Sequence, residues 1–164
     1  VTANFTFNEY SDAGATETVN ISNLNFGSVD SPNLVPVTYP IKASENSFEK
    51  YIKGAFSGSF TRVEHIKLWK SLGTYVTGET CQFSGSVTYV QPTEVDAGDP
   101  AIPTSEPGVY NVGIGGDING YIDGPLDSGY SGKTDYMRFQ LLTTGATPGG
   151  PVNQKTFTLQ YDEQ

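Results

Sequence analysis

The stretch KTFTLQYD, residues 155–162, sets Phe157, Leu159 and Tyr161 on one side of an extended chain and Thr156, Thr158 and Gln160 on the other. Side chains alternate faces along a strand, so this pattern describes a strand with one dry and one wet face. QFSGSVTYV (82–90) repeats it, with Phe83, Val87 and Tyr89 against Ser84, Ser86 and Thr88. The same period of two runs through ANFTFNEY (3–10), TVNISNLNF (18–26), KYIKGAF (50–56), SFTRVEHIKLWK (59–70), DINGYI (117–122) and DYMRFQLLT (135–143). LVPVTYPI (34–41), TYVTG (74–78) and VYNVGI (109–114) are weaker strand candidates. A helical period extends nowhere beyond about two turns.

Outward from these segments, 19 Gly and 10 Pro spread along the whole chain mark turns. The expected architecture is all-β: one antiparallel β-sandwich domain over residues 1–164, jelly-roll-like, with eight to eleven strands. In TVNISNLNF the apolar positions shift parity between Ile21 and Leu24, which predicts a β-bulge near Ser22–Asn23. GIGGDING (113–120) lacks the third glycine and the lysine of a phosphate loop, so its glycines are read as a tight hairpin. QPTEVDAGDPAIPTSEP (91–107), with four prolines, is read as a loop or an arm reaching a neighbouring subunit. DGPLDSGYSGK (123–133) and TGATPGGPVN (144–153) read as turns. The strand KTFTLQYD fits either within its sheet or against a neighbour at an open edge.

The chain of 164 residues carries a formal charge of −9, unevenly distributed. Residues 42–70 hold a local net of +3, so the remainder sums to −12. An acidic body argues against nucleic acid as partner, and no apolar run is long enough for a membrane span. The basic side chains Lys50, Lys53, Arg62, Lys67 and Lys70 are the candidate interaction residues, suited to an acidic protein surface or another copy of the chain. In TRVEHIKLWKS (61–71), alternation expects Arg62, Glu64, Ile66 and Leu68 on one face and Val63, His65, Lys67 and Trp69 on the other.

Chemistry finds little purchase in this sequence. One histidine, His65, and one cysteine, Cys81, supply neither a nucleophile–base set nor a zinc site, and a lone cysteine forms no intramolecular disulfide. Glu94, Asp96, Asp99, Asp117 and Asp123 are weak calcium candidates, as loop carboxylates without an EF-hand pattern. No catalytic residue and no cofactor is expected. The start VTANFTF shows no signal-peptide pattern; it fits removal of an initiator methionine and equally a processed or trimmed chain.

The runs ENSFEKYIKGAFSGSFTRVEHIKLWKS (45–71) and LLTTGATPGGPVNQKTFTLQYDEQ (141–164) resemble small all-β proteins encoded among the virion structural genes of tailed viruses. That resemblance implies a capsid decoration or cement protein, or another head or tail accessory, located in the virion and assembled in the host cytoplasm. Such a protein is non-enzymatic, forms homo-oligomers and binds a major capsid protein or copies of itself. A carbohydrate-binding module, an extracellular filament subunit and a small jelly-roll glycoside hydrolase are the alternatives from the residues themselves. A planar row of exposed rings favours the first of these. Two carboxyls about 5–10 Å apart in a cleft favour the hydrolase.

Overall fold

In the computed structural model, which describes residues 2–124, 130–150 and 154–164, the chain is built from strands without helix. In chain order they are β1 (Thr2–Ser11), β2 (Thr16–Thr18), β3 (Lys50–Ser59), β4 (Arg62–Leu72), β5 (Thr80–Ser86), β6 (Tyr121–Asp123), β7 (Tyr130–Lys133), β8 (Tyr136–Leu142) and β9 (Thr156–Glu163). Six form one antiparallel sheet, β2-β1-β3-β8-β5 with β7 also on β3. The other three form a second sheet, β6-β4-β9. The two sheets pack as a sandwich, the class expected from the alternation.

The inward faces supply the core. Phe5 stands opposite Phe56 across β1 and β3, and Tyr161 from β9 meets the Phe56 ring edge-on at 4.8 Å. Phe139 of β8 contacts Phe157 of β9 at 5.5 Å and Phe83 of β5 at 5.2 Å. Each buried ring or aliphatic side chain of this kind stabilises the fold by about 1.5–3 kcal/mol. Gly54 is required here. A Cβ at that position would lie 2.7 Å from the Phe5 ring, which covers it.

Several expected strands are absent as ladders. Only Thr16–Thr18 pairs ahead of the 18–26 stretch, and residues 34–41, 74–78 and 109–114 form no named strand. Ile21, Leu24, Phe26 and Ile41 still pack on the core, so their alternation reports burial rather than strand pairing. Pro32, Pro36 and Pro40 cannot donate to a ladder. DINGYI contributes only its end, as β6, whereas β7 lies in a stretch expected to be a turn. Part of that turn, 125–129, and the segment 151–153 lie outside the described residues.

No ladder exists at Ser22–Asn23 to bulge. The bulge is in β4, where Glu64 faces Asp162 and Lys67 faces Gln160, leaving one extra residue on β4. His65 takes it up with φ of 60°, a left-handed conformation uncommon for a non-glycine residue. The faces of β4 therefore differ from strict alternation: Val63, Ile66 and Leu68 all enter the core. The GIGG hairpin matches its reading. Ile114 and Asp117 exchange backbone bonds of 2.9 and 3.2 Å, and Gly115 and Gly116 have φ of 63° and 84°.

The Pro-rich segment 91–107 is not a projecting arm. It lies against its own chain as a strap. Pro100 O accepts from Phe83 N at 2.9 Å, Ile102 N donates to Cys81 O at 2.9 Å, and Pro103 O accepts from Lys70 N at 2.8 Å. The strap thus crosses from β5 of one sheet to β4 of the other. It continues to Asn111, whose side chain accepts from Leu68 N (2.7 Å) and donates to Leu68 O (2.8 Å), mimicking a strand partner. Arg138 holds Asp99 through two bonds of 2.7 and 2.6 Å. Gln140 accepts from Ala97 N and donates to Val95 O. One flank of the sandwich is sealed by these contacts.

Candidate functional site: the open flank

The opposite flank is built differently. β9 pairs with β4 alone among the described residues. Arg62 and Gln164 exchange bonds of 3.2 and 2.9 Å where the pairing ends. Alternation from that pair turns the backbone groups of Glu163, Tyr161, Leu159 and Phe157 away from β4. The side chains of Phe157, Leu159 and Tyr161 face the core and that of Glu163 is exposed, while the amides and carbonyls of all four face the free edge. The strand carries neither proline nor lysine, the usual guards of an exposed edge.

Beside this edge the two sheets gape. A cleft of about 1090 Å³ is lined by Phe7, Ile52 and Phe139 of the larger sheet, Leu68 and Phe157 of the smaller, and Leu24 of the excursion between β2 and β3. Its lining is mainly apolar. At one end Lys155 pairs with the buried Glu79 at 2.8 Å. The excursion is tied down near its base, where Ile21 N donates to Phe7 O (2.9 Å) and Phe48 N to Gly27 O (3.0 Å). Its tip exposes Val35, Tyr39 and, at 86%, Val37, which also borders the cleft. The edge had a sequence signal in the alternation of KTFTLQYD. The cleft had none, because its walls come from residues 7 to 157 along the chain.

The candidate interaction residues do not form one surface. Lys50 is buried and paired with Glu9 at 2.7 Å. Lys70 is buried, bonded to the Gly73 carbonyl and set over the Tyr75 ring. Neither is available to a partner. Lys53 lies over Tyr136 at 4.2 Å, Arg62 bonds Asp123 (3.2 Å) over the Tyr121 ring, and Lys67 pairs with Glu106 at 2.9 Å. The acidic neighbour of this basic stretch is thus supplied largely by the chain itself.

The calcium candidates are scattered and engaged. Asp96 accepts from Gln82 Nε2 (3.0 Å), Asp99 holds Arg138, Asp117 accepts from Asn119 N (2.9 Å), and Asp123 holds Arg62. Glu94 is exposed, with its carbonyl accepting from Asn46. Among the described residues no three His, Cys, Asp or Glu side chains converge as a metal site.

His65 stacks on Tyr110 at 4.5 Å, with Nδ1 2.8 Å from Asp162 Oδ2, on the outside of the smaller sheet. Its unusual backbone serves the bulge. Glu64 stands opposite Asp162, but neither lines the cleft, so this carboxyl pair has no enclosed space for a sugar ring. Burial pushes the Cys81 thiol up to about 12, which leaves it unreactive. Tyr10, Tyr51, Tyr89 and Tyr136 meet one another at 52° to 87°, a packed cluster rather than a planar platform. No family model matches the chain, and neither a curated protein nor a solved structure matches it.

Proposed function

We propose that this chain is a non-enzymatic structural subunit of a viral particle, of the capsid decoration, cement or head/tail accessory kind, acting through protein–protein contact. The observation that carries the reading is the open flank, where an unguarded strand edge runs beside an apolar cleft. An exposed edge recruits an extended segment by main-chain hydrogen bonds, and a neighbouring cleft takes its apolar side chains. The resemblance of residues 45–71 and 141–164 to virion proteins supplies the setting, with a major capsid protein or another copy of the chain as partner. The self-paired basic stretch moves the expected contact away from residues 42–70 and onto β9.

Native mass measurement, with and without assembled capsid shells, tests this. The expected result is an oligomer or a shell-bound chain. Thr156→Lys combined with Gln160→Lys, both exposed on β9, should weaken that association at least tenfold with little loss of stability. A strict monomer that binds no shell overturns the reading. Open-ended polymerisation without shells moves it to the extracellular filament subunit, which the same edge fits.

A further inference from the structure

The inward-facing series on β1 runs Ala3, Phe5, Phe7, Glu9, and on β3 it runs Lys50, Ile52, Gly54, Phe56. Two ionisable residues therefore occupy positions where the pattern calls for core side chains. Both side chains are 1% exposed. Lys50 Nζ lies 2.7 Å from Glu9 Oε1 and also 2.7 Å from the Ser31 carbonyl. The other carboxyl oxygen, Glu9 Oε2, is buried with no hydrogen-bond partner.

That arrangement is poor for a permanent ion pair. An interior carboxylate needs its lone pairs satisfied, and one oxygen here is left bare. Burial pushes the Glu9 carboxyl up, Lys50 opposes that shift, and the nearby charge of Asp30 adds to it. Moving one proton from Nζ to the carboxylate gives a neutral amine touching a neutral acid. Those are the two reactants of amide formation, held in contact where water is excluded.

We propose that Lys50 and Glu9 condense into an intramolecular amide that staples β1 to β3. The Nζ lone pair adds to Glu9 Cδ, forming the C–N bond and a tetrahedral centre. One hydrogen from Nζ joins the carboxyl hydroxyl, the C–O bond breaks, and one water leaves. No oxidant, reductant or co-reactant is consumed. The staple closes the chain between residues 9 and 50, locking the base of the excursion that borders the open flank. It stands independently of the proposed function, since it concerns an interior contact rather than a partner.

Intact-mass measurement of the denatured full chain tests it. The expected mass is one water below that of the sequence, and tandem mass spectrometry should join the peptide bearing Glu9 to that bearing Lys50. Lys50→Arg keeps the charge but should restore the full sequence mass, and Lys50→Met does the same if the arginine variant fails to fold. An unmodified wild-type mass overturns the proposal without recourse to any variant. So does a water deficit that survives loss of the lysine, as a cyclic imide at an aspartate would, or a linkage mapped to another pair.

Discussion

Residues 91–107 and 32–43 are both proline-rich, both lack ladder strands and both run beside a gap between the sheets, yet one seals its flank and the other does not. Along the sealed flank the strap and the strands match donors to acceptors in both directions: strap carbonyls accept from β4 and β5 amides, and Ile102 N donates to Cys81 O. Pro100 and Pro103 accept from Phe83 and Lys70, and proline can accept as well as any residue. Gln140, Arg138 and Asn111 then satisfy what the strap itself lacks. Along the open flank the excursion turns on itself, as in Ser28 N to Tyr39 O at 3.1 Å, and among the described residues the outer edge of β9 is left without a strand partner. What closes a sandwich is thus donor–acceptor matching along an edge, rather than the presence of a covering segment.

That contrast can be broken most forcefully at Ile102, the strap side chain buried in the core. Ile102→Ala should cost about 2–5 kcal/mol by denaturant unfolding. A loss below about 1 kcal/mol would mean that the strap merely rests on the sheets. Asn111→Ala comes next. It leaves the Leu68 amide and carbonyl without their side-chain partner, for an expected loss of about 1–3 kcal/mol and faster hydrogen exchange at the Leu68 amide.

On the open flank the same scale of change should vanish. Val37→Ser is expected to alter stability by no more than about 0.5 kcal/mol, because the side chain is already in solvent. Limited proteolysis should likewise cut within 32–43 well before 91–112. Initial cleavage in the strap would reverse the assignment of the two flanks.

A pH response is expected at β2, the edge of the larger sheet opposite the strap-bound β5. Burial tends to raise the Glu17 carboxyl, but hydrogen bonds from Lys133, Tyr10 and Asn8 overcome it and hold the group down at about 2. A depressed folded value contributes stability that is present above the ordinary 4.5 and lost as pH falls toward about 2. Carboxyl NMR titration should place the Glu17 midpoint near the lower figure, with β2 amides loosening across that window. A midpoint near 4.5 would mean that these hydrogen bonds do not anchor β2.

Legibility in the sequence varied with what each residue was asked to report. Phe157, Leu159 and Tyr161 alternate cleanly because β9 has no bulge and one buried face. In β4 the same reading misplaced Val63, since His65 inserts an extra residue and reverses parity before Ile66. The signal was available: Val63 and Ile66 are apolar at odd and even positions of one strand. Leu24, Phe26 and Ile41 show a strand period without a ladder, because period alone does not separate a packed loop from a paired strand. The burial of Lys50 and Lys70 has no sequence signal, because a formal charge says nothing about which carboxylate or carbonyl the fold brings to it.

By itself the sequence determined the all-β class, the turn at Gly115–Gly116 and the positions of the long strands, since local alternation and glycine conformation act between near neighbours. Tertiary structure alone decided that Glu9 meets Lys50, that the strap closes one flank, and that β9 is left open beside a cleft. Those outcomes depend on which backbone donors and acceptors find partners tens of residues away, and no local period encodes that.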